Sequence, residues 1–146
     1  MFGWYAQHNV VCTNERRRRM TTVGKLMTTD FVTVDARTSV IEAAMLMKTC
    51  SVESILVARQ ARLVGIVTES DIVRKFVGVD RVSYFVSVEE IMNSPILRIE
   101  ECRPLAEAAD LMEKCRTWHL GVTRGGVLIG VVSVRDFLRP VSAETF

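Results

Sequence analysis

The sequence lacks several features that would assign it to a specialised class of protein. No apolar run approaches the ~20 residues of a membrane-spanning helix, and no apolar segment follows a basic start as in a secretory signal. There is no Cys-x-x-Cys motif and there are only two histidines, so a metal site is not expected. The net charge of +2 is far below the excess of a dedicated nucleic-acid-binding protein.

The residues of an enzyme active site are also missing from the sequence. No nucleophile–base pair, metal-ligand cluster or glycine-rich phosphate loop can be recognised. We therefore do not expect an enzyme. The sequence does have a hydrophobic fraction of 49%, which is enough for a core in one compact unit or in two small packed units.

The four cysteines predict the compartment of the protein. Cys50 and Cys115 lie 65 residues apart, at matching positions of an internal repeat. This usage is typical of small core residues that remain thiols in a reducing compartment, rather than of a disulfide framework. We therefore predict a cytoplasmic protein without a membrane segment.

A gapless internal repeat dominates the chain. Residues 23–74 align with residues 88–139 at a constant offset of 65. Each copy predicts the order β-α-β-β-α, and hence an α+β fold of two similar units. The predicted division is an N-terminal extension (1–21), a first unit (22–77), a linker (78–87), a second unit (88–140) and a C-terminal tail (141–146).

The first helix of each unit is a well-marked element. Its apolar residues follow the i, i+3, i+4, i+7 spacing of a core-facing helix, at Val40, Ala43, Ala44 and Met47 and again at Leu105, Ala108, Ala109 and Met112. Ser39 and Glu42 predict a capping box at the start of the first copy. Pro104 suits the first helical position of the second copy.

The most informative stretch is Leu63–Asp71, which returns as Leu128–Asp136. Both copies predict an apolar strand that runs directly into a helix, with Thr68 or Ser133 at the N-cap and the aspartate at the third helical position. The N–H groups and dipole of such a helix favour an anion, and the carboxylate can hold the neighbouring hydroxyls of a ribose. The alternative is that Thr68 and Asp71 form only a capping box.

The duplicated pattern resembles tandem CBS-domain proteins, or Bateman modules. The resemblance covers Val23–Arg139 and rests on Leu26-Met27-Thr28, on the alanine pair of the first helix and on the Leu-Val-Gly-Ile-Val-Thr-x-x-Asp-Ile stretch. It implies two units packed about a pseudo-twofold axis into a disc, with two clefts between them. It also implies an adenosine ligand (AMP, ADP, ATP or S-adenosylmethionine), no required cofactor, and a homodimer.

The resemblance further assigns binding roles to individual residues. Asp71 and Asp136 would hold ribose hydroxyls, while Thr68 and Ser133 would contact phosphate or ribose oxygens. The remaining contacts would come from the start of the first strand and from the residue before the second strand. These would be Phe31 and Ile96 at the adenine, and Ser54 and His119 at the phosphate.

The two clefts are expected to differ in charge. Arg135 stands beside Asp136, and His119 is basic, whereas Glu69 stands beside Asp71 and would repel a polyphosphate. We therefore expect the Asp136 cleft to be the tighter phosphate site. Other basic residues near the motif helices, namely Arg74, Lys75 and Arg139, are expected to be solvated or to act as favourable charges at the C-terminal ends of these helices. Trp118, which has no counterpart in the first unit, is expected either at a dimer interface or stacked on a ligand.

These observations lead to three hypotheses for function. The first is a regulatory module that senses an adenosine nucleotide and signals to an unidentified effector protein by changing the angle between its units. The second is a protein-interaction or dimerisation scaffold with empty clefts. The third is nucleic-acid binding through Arg16–Arg19, although a solvated extension explains that charge run equally simply.

Overall fold

The structure of the protein, a computed structural model, describes residues 21–80 and 84–139. The first half contains, in chain order, α1 (Val23–Leu26), β1 (Thr33–Asp35), α2 (Val40–Cys50), β2 (Ser54–Arg59), β3 (Arg62–Thr68) and α3 (Glu69–Ile72), which continues into a π-helical turn at Val73–Val77. The second half contains a 3-10 turn (Val88–Glu90), β4 (Arg98–Glu100), α4 (Leu105–Cys115), β5 (His119–Arg124), β6 (Val127–Ser133) and a 3-10 helix (Val134–Leu138). The predicted α+β class is confirmed.

Each half forms its own three-stranded sheet. β1 pairs in parallel with β2, and β2 pairs antiparallel with β3. The strands β4, β5 and β6 repeat this arrangement. The helix between the two parallel strands of each half lays its apolar stripe on the core: Val40, Ala43 and Met47 of α2 are buried, as are Ala108 and Met112 of α4, whereas Ala109 is exposed.

The ends of these helices follow local rules with one exception. Ser39 caps α2 as predicted, because its hydroxyl accepts from the Glu42 N–H at 3.1 Å and the Glu42 carboxylate accepts from the Ser39 N–H at 3.2 Å. The prediction for Pro104 is wrong by one position. Pro104 has an extended backbone with ψ of 152° and serves as the N-cap, so α4 begins at Leu105.

The leading segment of each half packs into the core of the other half. Val23 is fully buried in the cluster that contains Ile99 and Leu120 of the second half. Val88 is equally buried in the cluster that contains Val40 of the first half. Neither half therefore has a complete core without the other, as expected for units too small to bury enough apolar surface alone.

Backbone bridges between the halves obey a pseudo-twofold symmetry. Thr28 and Val131 exchange two hydrogen bonds, of 2.8 and 2.9 Å. Asn93 and Ile66, which are their partners in the repeat, exchange two bonds of 2.9 and 3.0 Å. The same contact is thus made twice with the roles of the halves interchanged, and the predicted pseudo-twofold packing is confirmed.

Two glycines allow these bridges to form. A Cβ atom at Gly130 would lie 2.9 Å from the carbonyl oxygen of Thr28, and one at Gly65 would lie 2.9 Å from the carbonyl oxygen of Asn93. Each would also meet a methionine side chain of the same crossing segment. The leading segments can therefore cross β3 and β6 only because these positions lack a side chain.

The helices that follow the duplicated motif are shorter than expected. Thr68 and Ser133 are N-caps, and Asp71 and Asp136 occupy the third helical position, as predicted. However, α3 has four α-helical residues before its π-helical turn, and its counterpart is a five-residue 3-10 helix. Because a helix dipole is the sum of its aligned peptide units, these short helices attract an anion less than we expected.

The prediction from the cysteines is wrong in two respects. Cys50 is exposed and Cys115 is half-buried, so neither belongs to the fully buried core. Cys50 and Cys115 are free thiols as predicted, but Cys102 is disulfide-bonded, which is not expected in a reducing compartment. The cysteines therefore give no support to the predicted cytoplasmic location.

The part of the chain that the structure describes contains neither a membrane-spanning helix nor a cluster of metal ligands. None of its helices is long and apolar enough to cross a membrane. It also contains no group of three or more His, Cys, Asp or Glu side chains placed to hold a metal ion. The basic run Arg16–Arg19 and the C-terminal tail lie outside the described residues.

The crossing at Gly130 leads to a stability prediction. In Gly130→Ala the new methyl group meets backbone that cannot move without breaking the bridge between the halves. We expect the free energy of unfolding, measured by urea denaturation, to fall by about 1–3 kcal/mol. The control is Gly126→Asn, since Gly126 has a φ of 82° that asparagine tolerates and open space at its Cβ position. Native-like stability of Gly130→Ala would contradict the crossing.

Candidate functional site

Two clefts lie between the halves, one beside each motif aspartate. The Asp136 cleft has a volume of about 630 Å³ and is lined from the first half by residues that include Phe31 and Ser54. The Asp71 cleft has a volume of about 510 Å³ and is lined from the second half by residues that include Asn93 and Trp118. Both volumes fall in the range of small-molecule sites, roughly 300–1,000 Å³.

Asp71 is surrounded by partners from its own chain. Its Oδ2 accepts from the N–H and the hydroxyl of Thr68, both at 2.9 Å, and from Nδ2 of Asn93 at 2.8 Å. Its Oδ1 lies 3.0 Å from the ammonium group of Lys75. This ammonium also donates to the carbonyl oxygen of Ile91 at 3.1 Å and to Oδ1 of Asn93 at 2.9 Å. Both carboxylate oxygens of Asp71 are therefore engaged by groups held in place.

Asp136 has fewer partners among the described residues. Its Oδ2 accepts from the backbone N–H of Ser133 at 2.7 Å, and its Oδ1 lies 3.2 Å from the guanidinium of Arg139. The Arg139 side chain is 64% exposed, so it can turn into solvent without opening the core. The Lys75 ammonium, in contrast, is held by three acceptors. A ligand can therefore replace Arg139 as the partner of Asp136, whereas Asp71 has no partner that is as easily replaced.

Two departures from the repeat cause this difference between the clefts. Asn93 stands where the first unit has Thr28, and Lys75 stands where the second unit has Pro140. Threonine and proline carry no amide or ammonium group that could reach an aspartate. The expectation that Lys75 is simply solvated is therefore wrong at its ammonium group. A position-by-position comparison of the two copies is the signal that could have identified Lys75 and Asn93.

Glu53 lies where the two clefts adjoin and faces both predicted basic contacts. It lines both clefts, together with His119 and Arg135. Its Oε1 forms an ion pair with the Arg135 guanidinium, and its Oε2 lies 3.8 Å from Nε2 of His119. Glu53 is not among the site residues predicted from the sequence. The available signal was that the second unit has Trp118 at this position, so the carboxylate breaks the repeat.

His119 is neutral at physiological pH rather than a cationic phosphate contact. Burial lowers the pKa of His119 below its usual value of 6.5, although four carboxylates, chiefly that of Glu53, act in the opposite direction. Its Nε2 atom is buried and has no hydrogen-bond partner among the described residues. The expectation that this histidine supplies positive charge to the Asp136 cleft is therefore not supported by its surroundings.

The other predicted residues divide between the clefts and the core. Phe31 and Ser54 line the Asp136 cleft, and Thr68 lines the Asp71 cleft. Ile96 is instead buried with Leu56 in the apolar contact between the halves, and it does not line either cleft as described. All the other predicted residues reach a cleft: Asp71, Ser133, Asp136, His119 and Arg135.

The environment of His119 can be tested by titration. With only two histidines in the chain, the imidazole signal of His119 can be followed by NMR, and we expect its midpoint below pH 6.5. Because the unfolded chain then takes up a proton at higher pH than the folded chain, this histidine lowers stability as pH falls below about 6.5. In His119→Gln, the free energy of unfolding measured by urea denaturation should therefore lack the decrease that this histidine causes between about pH 7.5 and pH 5.5. A midpoint at or above 6.5 would contradict the burial argument.

Similarity to known proteins extends over most of the chain. The family model described as CBS domain matches residues 23–78 and 88–143. An uncharacterized 17.7 kDa protein from the bps2 3′ region of Acidianus ambivalens is 34% identical over 121 residues. The matched residues are 82% of this chain and 72% of that relative.

Solved structures of similar proteins share the fold. A hexameric CBS-CP12 protein from bloom-forming cyanobacteria superposes with a TM-score of 0.78 and 28% identity, over 84% of this chain and 68% of that chain. The CBS domain pair of protein MJ0100, in complex with 5′-methylthioadenosine and S-adenosyl-L-methionine, superposes with a TM-score of 0.72 and 24% identity, over 82% of this chain and 94% of that chain. The chain belongs to the CBS-domain family and carries two CBS domains in tandem.

Proposed function

We propose that the protein is a regulatory module that binds an adenosine ligand in the Asp136 cleft. The observation that carries this proposal is the buried Asp136 carboxylate, whose Oδ1 faces the exposed side chain of Arg139. A ribose offers two neighbouring hydroxyl donors to the two oxygens of such a carboxylate. The CBS pair that was solved with methylthioadenosine and S-adenosylmethionine supports an adenosine-derived ligand. AMP, ADP, ATP and S-adenosylmethionine are the candidates.

In the proposed binding mode, both halves contact the ligand. Phe31 from the first half packs on the adenine, while Ser133 and Asp136 from the second half hold the ribose. Ser54 faces the 5′ end of the ligand. A ligand that bridges the halves can shift the angle between them if it binds one arrangement of the halves more tightly than another. An effector protein would then bind according to that angle. The proposal requires no cofactor, and nucleic acid is not a partner in it.

The Asp71 cleft is not a ribose site in this proposal. The groups that a ribose would need to displace from Asp71 are the Lys75 ammonium and the Asn93 amide, and each of them has further partners. Displacing them would separate the buried carboxylate from the ammonium that neutralises it, and leaving a buried charge unpaired is unfavourable in free energy. We therefore propose one adenosine ligand per chain.

The proposal can be tested by isothermal titration calorimetry with the candidate ligands on Asp136→Asn and Asp71→Asn. The two variants are matched, because each removes one negative charge from the third position of equivalent helices and keeps an oxygen for the cap. We expect Asp136→Asn to weaken binding by about 10- to 100-fold, since a hydrogen bond to a charged group is worth about 1.5–3 kcal/mol. Asp71→Asn should change the affinity by less than about threefold.

Two results would refute the proposed site. Equal loss of affinity in the two variants would mean that the clefts are equivalent. If no adenosine compound gives a heat of binding with the native chain, the module does not sense an adenosine ligand. In the second case, the hypothesis of a protein-interaction or dimerisation scaffold with empty clefts would replace the proposal of an adenosine sensor.

A specific observation favours self-association as a second function. Val73 and Leu138 occupy equivalent positions of the repeat, at the helical segments that flank the clefts, and are 60% and 82% exposed. Val77 and Val134 on the same segments are also exposed. Apolar side chains at symmetry-related positions are suited to contact a second copy of the chain. We propose that the protein is a homodimer through this surface, defined by these four residues.

The dimer can be tested by sedimentation velocity. We expect Leu138→Glu to shift the native dimer to monomer at low micromolar concentration, because the new carboxylate would be buried without a partner. Val127→Glu is the control, since Val127 is 65% exposed and lies at the β5–β6 turn, away from the flanking helices. A native chain that sediments as a monomer would refute the dimer, and so would a Leu138→Glu variant that remains dimeric.

A further inference from the structure

Four of the six titratable residues that line the Asp136 cleft are paired with one another. The acidic side chains that line it are Asp30, Glu53 and Asp136, and the basic ones are His119, Arg135 and Arg139. Arg135 pairs with Glu53, and Arg139 pairs with Asp136. His119 is the remaining base, and burial keeps it neutral by lowering its pKa. The lining therefore contains three carboxylates and two guanidinium groups, with an excess of negative charge.

Glu53 is held at the centre of this arrangement by its backbone. It follows α2, whose C-cap residue Ser51 has the left-handed conformation with φ of 53°. The carbonyl oxygen of Glu53 accepts from the N–H of Glu69 at 3.1 Å, which fastens the residue to the start of α3. Its side chain is only 29% exposed, and both of its oxygens are directed at bases from the second half. The carboxylate therefore has little freedom to move away from a ligand.

We propose that Glu53 is a specificity-determining residue that makes the Asp136 cleft favour an adenosine ligand with an uncharged or cationic 5′ substituent over one with a 5′ phosphate. The inference rests on the proposed function and names the class of ligand for the same site. It differs from the sequence-based expectation of a phosphate site, which relied on Arg135 and His119. Both of those residues face Glu53 instead.

The physical reason is the balance of charge around the 5′ end of the ligand. A phosphate dianion would compete with Glu53 for Arg135, and the carboxylate would then share this guanidinium with a second anion. Repulsion between like charges a few ångströms apart is large at the reduced dielectric of a half-buried cleft. An uncharged or cationic group leaves the pair of Arg135 and Glu53 intact, and a cation is attracted by the excess negative charge.

His119 supplies no positive charge that would offset a 5′ phosphate. Its Nε2 atom is buried beside the Glu53 carboxylate without a hydrogen-bond partner among the described residues. Charging this imidazole to receive a phosphate would work against the burial that lowers its pKa.

The test is a calorimetric titration with three adenosine compounds that differ in charge at the 5′ position. These are methylthioadenosine, which is neutral, S-adenosylmethionine, which is a sulfonium cation, and AMP, which is a dianion at about pH 7.5. Each is titrated into the native chain, into Glu53→Gln and into Glu69→Gln. The last variant is the control, because it removes the same charge from an exposed acidic residue that lines the other cleft.

We expect the native chain to bind methylthioadenosine and S-adenosylmethionine at least about tenfold more tightly than AMP. In Glu53→Gln the affinity for AMP should rise about tenfold, the affinity for S-adenosylmethionine should fall severalfold, and that for methylthioadenosine should change by less than about threefold. Glu69→Gln should leave all three affinities within about threefold of the native values.

The outcomes separate this inference from the proposed function. If methylthioadenosine binds and its binding depends on Asp136, but the ratio of its affinity to that of AMP is the same in Glu53→Gln, the role of Glu53 is refuted and the adenosine site remains. Tighter binding of AMP than of methylthioadenosine to the native chain also refutes that role. If none of the three compounds binds, this inference fails, and the proposed function fails with it when ADP and ATP give no heat of binding either.

Discussion

Val23 and Val88 are each buried in the core of the opposite half, and the remaining features of the molecule depend on this exchange of leading segments. Each segment enters by backbone bonds to a strand of the other half, as between Thr28 and Val131. Because each half completes the core of its partner, the halves have one stable way of meeting. Glu53 of the first half and Arg135 of the second half consequently meet where the two clefts adjoin.

A symmetric backbone does not produce two equivalent sites. The two capping arrangements around Asp71 and Asp136 are nearly the same, yet only Asp71 is surrounded by an ammonium and an amide from its own chain. Because a carboxylate inside a protein must be compensated, whichever groups supply that compensation decide whether a ligand can also do so. Lys75 and Asn93 supply it permanently, whereas the exposed Arg139 can be replaced.

Charge at the junction of the clefts gives the module a further asymmetry. Glu53 is a single carboxylate shared by both clefts, and its partners Arg135 and His119 both come from the second half. A cluster of this kind is sensitive to the charge of any group that enters either cleft, since one partner can be gained only when another is released. The clefts are therefore electrostatically linked, although their linings come largely from different residues.

Periodicity and duplication in the sequence determined the α+β class, the element order, the N-caps at Thr68 and Ser133, and the positions of both aspartates, because these depend on local hydrogen bonds and on apolar spacing. The tertiary structure decided which half each leading segment joins, that Ile96 is core, and that Lys75 reaches Asp71. It also decided that Glu53 pairs with Arg135 and lies beside His119, the two bases expected to hold phosphate. These outcomes depend on distances between residues remote in sequence and on burial, which lowers the pKa of a group such as His119 without any change in its neighbours along the chain.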